Sequence, residues 1–367
     1  MSLKCGIVGL PNVGKSTIFN CISNSTRAQI ANFPFCTIEP NICITNVPDN
    51  RVTELANLVK PEKTIYATIE VVDIAGLVKG ASHGEGLGNK FLSNIRETDA
   101  IIHVIRCFDD PNIAHVNGTV NPVADKEIID YELIMKDLES IEKKIAKIEK
   151  NAKIAGDKTA KKTYEYLINI KQNLERGIPI RTLNLSEEEN EAIKDCYLLT
   201  QKPVLYVCNV DEKSINQENK YVKDIKQLAQ KEKAEVIVIA ASIEAQIAEF
   251  DNIEERNILL KDLGITESGI NKIIRNSYKM LNLITFFTAG PKEVHAWTIK
   301  KNSLAPQAAG TIHSDFERGF IRAEVIKYDD FIKYGSEAAC RENGKINIEG
   351  KEYVVEDGDI MHFRFNV

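Results

Sequence analysis

No long hydrophobic run occurs in this sequence of 367 residues. No apolar stretch approaches the roughly 18 residues that a membrane-spanning helix needs, so we expect no membrane association. Eight cysteines are present, but no two have C-x-x-C spacing or another metal-binding spacing. Because Cys5, Cys107 and Cys208 lie inside apolar strand patterns, we interpret them as reduced core residues. A signal peptide is also missing, and we expect a cytoplasmic protein.

The sequence also has no excess of basic residues. Lysine and arginine number 47 against 53 aspartate and glutamate residues, which gives a net charge of −6. This balance argues against indiscriminate DNA binding, and we expect no sequence-specific DNA partner, although it leaves room for a local basic face. The apolar fraction of 43% and the charged fraction of 27% are ordinary for globular proteins. The length predicts two or three domains.

A phosphate-binding motif stands near the start of the chain. The segment 9–17, GLPNVGKST, fits the P-loop pattern G-x-x-x-x-G-K-[ST], with an apolar strand before it and a helix after it. Its backbone N–H groups are predicted to surround a polyphosphate at the helix N-terminus. Lys15 would reach the β- and γ-phosphates, and the Ser16 hydroxyl would bind Mg²⁺. The predicted nucleotide contacts of this loop are Asn12, Val13, Gly14, Lys15, Ser16 and Thr17.

Further strands follow at the spacing of alternating β and α elements. Near-continuous β-branched runs occupy residues 68–72, 100–105, 203–208 and 235–239. Such runs indicate strands buried on both faces, hence a mostly parallel sheet covered by helices. The predicted fold class is α/β, and ligands are expected beyond the carboxyl ends of the strands.

Two motifs are candidates for the metal and the γ-phosphate. Asp73 ends a strand, and its carboxylate is suited to a position just outside the ligands of Mg²⁺. Gly76, three residues later, would sense the γ-phosphate through its N–H group. Thr37 lies in a polar loop after the first helix, where it would close over the metal as a switch residue. The alternative for Thr37 is a surface turn.

The expected base-reading segment is Asn209-Val210-Asp211-Glu212. A guanine site has the pattern N-K-x-D, in which the aspartate binds the guanine N1–H and exocyclic amine. Here Val210 replaces the lysine, and Glu212 is one methylene longer than the aspartate. The residues that select guanine are therefore altered, and the pocket can accept adenine. Ala241 and Ser242, after the last strand, would complete the base pocket.

These motifs together resemble the Obg-related YchF family of ribosome-binding ATPases, a branch of the P-loop NTPases. The resemblance covers essentially the whole chain, with matching segments at 32–41, 73–80, 84–89, 94–98, 305–310 and 315–323. It implies ATP as substrate, Mg²⁺ held through Ser16 and Thr37, and adenine contacted at Val210. It also implies association with the ribosome and its RNA.

A charged insertion, residues 125–200, follows the third strand of the motif series. Its apolar residues step by four and three positions, which predicts an antiparallel helical hairpin broken near Ala155-Gly156-Asp157. The apolar positions are Ile134, Leu138, Ile141, Ile145, Ile148, Tyr164, Leu167, Ile168 and Leu174. The predicted tip is rich in lysine: Lys143, Lys144, Lys147, Lys150, Lys153, Lys158, Lys161 and Lys162. Either these lysines are a solvated face, or they contact RNA phosphates.

The pattern changes to short strands and turns near residue 282. We therefore predict a nucleotide-binding domain at 1–281, carrying the hairpin, and a small α+β module at 282–367. The family resemblance makes this module a TGS domain of β-grasp type. It contains no catalytic constellation, and packing and partner docking are both open roles.

The source of the catalytic group is open at this stage. Ras-like GTPases orient water with a glutamine just after D-x-x-G, but this chain has Leu77 there. The resemblance points to His115 as the replacement; the alternative for His115 is an exposed loop histidine. His83 is a weaker candidate than His115 for this role. Lys15 of the P-loop, which reaches the phosphates, is the second predicted catalytic residue.

A bound K⁺ is a second candidate for the missing catalytic group. Related NTPases with this loop pattern place K⁺ at the position of Asn12, whereas the alternative for Asn12 is a hydrogen bond to the loop backbone. The predicted function is an ATP-hydrolysing switch that associates with the ribosome; the alternatives are a binding module with incidental turnover and a GTPase.

Overall fold

The computed structural model describes residues 3–30, 42–74, 87–116, 118–152, 157–250 and 252–366. In chain order its strands are β1 (Lys4–Val8), β2 (Ile42–Asn46), β3 (Lys63–Ile65), β4 (Thr68–Asp73), β5 (Ala100–Arg106), β6 (Val204–Asn209), β7 (Glu235–Ile239), β8 (Leu283–Ala289), β9 (Glu293–Lys300), β10 (Phe320–Ile326), β11 (Asn347–Glu349) and β12 (Ile360–Phe365).

The helices are α1 (Lys15–Ile30), α2 (Asn50–Val59), α3 (Leu87–Arg96), α4 (Pro122–Ala152), α5 (Lys158–Glu175), α6 (Glu187–Ile193), α7 (Lys220–Glu232), α8 (Ala241–Glu249), α9 (Ile253–Asp262), α10 (Gly269–Met280), α11 (Ala305–Ile312), α12 (Ser314–Arg318), α13 (Tyr328–Tyr334) and α14 (Glu337–Glu342). Within the ranges described, no helix combines the length and hydrophobicity needed to cross a bilayer.

The first of two compact units comprises the described residues within 3–44 and 70–273. Its six-stranded sheet has the order β2-β4-β1-β5-β6-β7. Strand β1 pairs in parallel with β4 and β5, and β6 pairs in parallel with β5 and β7. Every side chain of β5 and β6 is buried, as expected for strands covered on both faces. The predicted α/β fold with a mostly parallel sheet is confirmed.

The predicted helical hairpin is present in this unit as α4 and α5. Helix α4 is 31 residues long, and α5 begins at an N-cap in which Asp157 accepts a hydrogen bond from the Ala160 N–H. Their shared core is closed by α6 and the segment after it. It consists of Ile134, Ile141, Leu167, Ile170, Leu174, Ile180, Ile193 and Leu198. The predicted break at Ala155-Gly156 lies outside the described residues.

The second unit comprises residues 45–69 and 274–367. Its mixed sheet has the order β11-β10-β12-β8-β9-β3, and α11 packs three buried alanines against it. Phe286, Phe320 and Phe363 lie in the same core. The small α+β module that the sequence predicted is confirmed.

Residues 45–69 and 274–281 belong to this second unit, whereas the domain boundary predicted from the sequence lies between residues 281 and 282. Strand β3 pairs in parallel with β9, and the Arg51 guanidinium binds the Asp357 carboxylate at 2.8 Å. These pairings join segments more than 200 residues apart in sequence, so no local pattern reveals them.

Candidate nucleotide-binding site

The P-loop connects β1 to α1, as the motif predicted. Asn12 and Gly14 both have left-handed backbone conformations, with φ angles of 64° and 95°. A Cβ atom added to Gly14 would lie 2.3 Å from the Asn209 side-chain nitrogen, so glycine is required there by space as well as by conformation. Helix α1 has no acidic residue in its first turn. Its N-terminus therefore presents unopposed N–H groups and positive dipole to an anion.

Lys15 and Asp73 form an ion pair at this end of the sheet. Strand β4 lies beside β1 with Asp73 opposite Ile7, which places the carboxylate next to the loop. The two side chains are 11% and 19% exposed. A phosphate that binds here would therefore compete with Asp73 for the Lys15 ammonium group.

The donor atoms at the loop suit a hard divalent cation. The Ser16 hydroxyl is exposed at the start of α1, and the Asp73 carboxylate lies nearby through its pair with Lys15. Oxygen donors of this kind fit Mg²⁺, which usually takes one or two protein oxygens together with phosphate oxygens and water. Within the described part of the chain no group of three or more His, Cys, Asp or Glu side chains is arranged to hold a metal alone. The site therefore fits a cation bound jointly with a polyphosphate.

Asn209 connects the P-loop to the neighbouring loops. Its side-chain nitrogen donates to the Val13 carbonyl at 2.9 Å, and its side-chain oxygen accepts from the Ala241 N–H at 2.9 Å. The residue is only 4% exposed. Because both polar atoms bind backbone groups, Asn209 supports the shape of the site.

A cavity of about 600 Å³ lies above these loops. It brings together predicted site residues from three segments: Asn12, Gly14, Thr17, Asn209, Val210, Glu212 and Ser242. The cavity is also lined by Phe108, Asp109, Asp110 and Ile113, which are not among the site residues predicted from the sequence. Their position directly after β5, at the carboxyl edge of a parallel sheet, is the signal that would have found them.

The predicted base-reading segment, Val210–Glu212, lacks the lysine and aspartate of a guanine site. Val210 is 3% exposed, and its N–H donates to the Ile239 carbonyl at 2.8 Å. Asp211 accepts a hydrogen bond from the Ser214 N–H at 3.0 Å, so its carboxylate caps a short turn. Glu212 is exposed on that turn. A buried apolar side chain thus occupies the place of the lysine that covers guanine.

The wall formed by residues 108–113 is held by Arg106. Its guanidinium donates to the carbonyls of Phe108, Asp110 and Ile113 at 3.0–3.2 Å. It also stacks on the Phe108 ring, 4.7 Å from the centroid, and the residue is 1% exposed. The cavity wall therefore folds around the buried Arg106 side chain. In the sequence, Arg106 is recognisable only as the last residue of an apolar strand.

His115 is not an exposed loop histidine. Its Nε2 lies 2.8 Å from an Asp125 carboxylate oxygen, and the two side chains are 4% and 3% exposed. The described residues that line the cavity do not include His115, and they do not include Lys15, Ser16 or Asp73 either. The preceding residue contacts the P-loop, because the Asn12 side-chain nitrogen donates to the Ala114 carbonyl at 3.2 Å.

The predicted site residues Thr37 and Gly76 lie outside the described ranges, as do Leu77, His83 and the predicted tip lysine Lys153.

Comparisons with known proteins agree with this architecture. A family model described as 50S ribosome-binding GTPase matches residues 4–155, and the model for the C-terminal domain of YchF GTPases, described as a protein of unknown function, matches residues 283–366. The chain is 53% identical to the ribosome-binding ATPase YchF of Bacillus subtilis (strain 168) and 52% identical to that of Escherichia coli O157:H7, each over the full length of both proteins. The solved structure of the Schizosaccharomyces pombe YchF GTPase is 42% identical, with a TM-score of 0.90, and the match covers 99% of this chain and 98% of that one. The chain belongs to the YchF family of P-loop NTPases.

Proposed function

We propose that this protein is an ATP-hydrolysing switch that associates with the ribosome in the cytoplasm. The observation that carries the nucleotide assignment is the cavity between the P-loop and Val210-Glu212, where the residues that select guanine are replaced. The name of the bacterial relatives, ribosome-binding ATPase, supports both ATP and the ribosome as partners.

The residues of the site have separate roles in this proposal. Lys15 leaves Asp73 to bind the β- and γ-phosphates, while the backbone of residues 12–17 surrounds them. Ser16 holds Mg²⁺, with Thr37 as the second protein ligand and Gly76 near the γ-phosphate. When bound, Mg²⁺ neutralises charge that develops on the phosphate oxygens. His115 acts at the attacking water in place of the absent glutamine.

Nucleotide selectivity tests the proposal directly. We expect ATP to bind more tightly than GTP, by roughly the two- to tenfold that one net hydrogen bond provides. A site with a full set of hydrogen bonds to one base would discriminate against the other base by about 10⁴-fold or more. This pocket lacks the guanine-binding groups and has no comparable set for adenine, so the preference is small. The double variant Val210→Lys with Glu212→Asp should shift the preference toward GTP. Isothermal titration calorimetry with both nucleotides measures the ratio.

The matched control for this pair is Lys213→Ala, on the same exposed turn but outside the cavity lining. It should leave the ratio unchanged. Equal or tighter GTP binding by the unmodified protein would refute the adenine assignment.

A monovalent cation is the second part of the catalytic proposal. Asn12 lines the cavity, and its side-chain nitrogen is engaged by Ala114, so its amide oxygen is the atom that would hold K⁺ beside the phosphates. We expect faster ATP hydrolysis in K⁺ than in Na⁺ at equal ionic strength. Asn12→Ala should remove the difference while ATP affinity is largely kept. The gain is limited to roughly 10²–10³-fold, the effect of one electrostatic donor in a transition state. Identical rates in the two salts would remove K⁺ from the mechanism.

The hairpin tip is the proposed contact with ribosomal RNA. Lys144 pairs with Asp195 and Lys162 pairs with Glu188, so these two lysines are already partly neutralised. Lys147, Lys150 and Lys161 are exposed and carry no ion pair within the described ranges. Reversing these three charges to glutamate should weaken ribosome binding. The slope of log affinity against log salt should fall by about 0.7–0.9 for each RNA phosphate that the protein no longer neutralises.

Co-sedimentation with ribosomes over a salt series measures this slope. The control reverses three exposed lysines of α7, Lys220, Lys223 and Lys231, which changes the net charge equally. If both triple variants behave alike, the tip lysines are only a solvated face.

A further inference from the structure

The carboxylate that binds His115 belongs to the first turn of α4. Asp125 is the fourth residue of this helix, and its backbone N–H donates to the Asn121 carbonyl at 2.9 Å. Its position is therefore fixed by regular helical structure. A buried hydrogen bond to a carboxylate in such a setting is stronger than a neutral one, because few water molecules compete for either partner.

The residues just before His115 reach the nucleotide cavity, but His115 does not. Ile113 lines the cavity, and its carbonyl is held by Arg106 at 3.0 Å. Ala114 accepts the hydrogen bond from Asn12. His115 is thus two residues from the cavity wall with its imidazole directed to Asp125. With its Nε2 on Asp125 and only 4% of its side chain exposed, the imidazole offers almost no surface to an attacking water in this conformation.

We infer that Asp125 is a positioning residue that withholds His115 from the nucleotide, so that hydrolysis requires His115 to exchange Asp125 for the attacking water. The inference rests on the proposed ATPase function. Breaking the pair costs the free energy of one buried, charge-assisted hydrogen bond. The population of released His115 is correspondingly small, and turnover without a partner is slow.

The isosteric variant Asp125→Asn tests this arrangement. It keeps the shape of the side chain but replaces the carboxylate. We expect acylation of His115 by diethyl pyrocarbonate, followed by mass spectrometry, to become roughly 10- to 100-fold faster, the range for removing one buried hydrogen bond to a charged group. Basal kcat for ATP should rise by a similar factor. In the double variant with His115→Ala the rise in kcat should disappear.

The matched control is Glu127→Gln, in the same helical turn. It removes one negative charge near the helix N-terminus, but Glu127 is exposed, whereas Asp125 is buried. It should change neither the labelling rate nor kcat. Circular dichroism verifies that both variants are folded.

The outcomes separate this inference from the function on which it rests. Unchanged labelling of His115 in Asp125→Asn would overturn the inference. Faster labelling with a lower kcat would also overturn it, because Asp125 would then orient His115 for catalysis. A protein that hydrolyses no ATP even with ribosomes would refute the proposed function, while the labelling rates would still decide whether Asp125 holds His115.

Discussion

Lys15→Ala is expected to reduce kcat/KM for ATP by roughly 10³-fold or more, the effect of one cation on a phosphoryl transition state. The reduction has two sources. The phosphates lack their ammonium partner, and the Asp73 carboxylate, which pairs with Lys15 in the structure, faces them uncompensated. Ser16→Ala should likewise abolish tight binding of nucleotide with Mg²⁺. Fluorescent-nucleotide titration and steady-state hydrolysis measure these effects.

Lys4→Ala is the matched control for this prediction. Lys4 lies at the opposite end of β1 and pairs with Glu70 at 2.9 Å, so it is also an ion-paired lysine of the same part of the sheet. It should leave ATP binding unchanged. Normal ATP affinity in Lys15→Ala would mean that the loop is not a phosphate site.

Arg181→Met is expected to lower the free energy of unfolding by about 3–5 kcal/mol, the usual cost of removing one partner from a buried ionic cluster. The Arg181 guanidinium binds Asp130 at 2.8 Å and Glu232 at 3.1 Å. Lys126 pairs with the same two carboxylates, and the Tyr206 hydroxyl donates to Glu232 at 2.7 Å. The ion-paired side chains are only 6–10% exposed. Without the guanidinium, two buried carboxylates share one ammonium group.

The charge states of the cluster agree with the direction of this effect. Burial alone would raise the pKa of Asp130, but Arg181 and Lys126 hold it below its ordinary value. His103, which lies against the Tyr206 ring, has its pKa lowered to about 3 by burial and is neutral at pH 7. His103 therefore supplies no positive charge that could replace the Arg181 guanidinium.

Thermal unfolding followed by circular dichroism checks the prediction, and a fall of roughly 10 °C in Tm corresponds to this decrease in a unit of this size. Lys171→Met is the control, since Lys171 forms an ion pair with Glu142 on the exposed surface of the hairpin. It should leave Tm unchanged. Equal effects of the two variants would show that the cluster contributes no more than a surface pair.

The parts of the site that sequence analysis predicted are those encoded locally. The P-loop, Asp73 at a strand end and the Val210-Glu212 segment each follow a buried strand, and the parallel sheet brings their strand ends to one edge. Each motif is short, so its position at a strand end could be predicted from residue spacing. The helical hairpin was predictable for the same reason, because its apolar positions repeat within one helix at a time.

The contacts that the sequence does not reveal act over long separations. Asn209 was predicted as a nucleotide contact and lines the cavity, but its hydrogen bond to Val13, 196 positions away, has no local signal. Arg106 holds the cavity wall through backbone carbonyls, which leave no trace in side-chain patterns. Asp125 was predicted only as part of a charged insertion, because its partner lies in a separate loop. In each case the missing information was which groups the chain brings together.

Helix α4 has the proportions of a lever. Its 31 residues span about 46 Å, and the ionic cluster at Lys126 and Asp130 fixes it near one end. A tilt of about 5° around that point moves the far end by roughly 3 Å and Asp125 by well under 1 Å. A force applied at the lysine-rich end is therefore multiplied severalfold at Asp125, in proportion to the ratio of the arms. The His115–Asp125 hydrogen bond is 2.8 Å long and is lost once the two atoms are about 3.5 Å apart. A displacement of Asp125 by less than about 1 Å is therefore sufficient to break it.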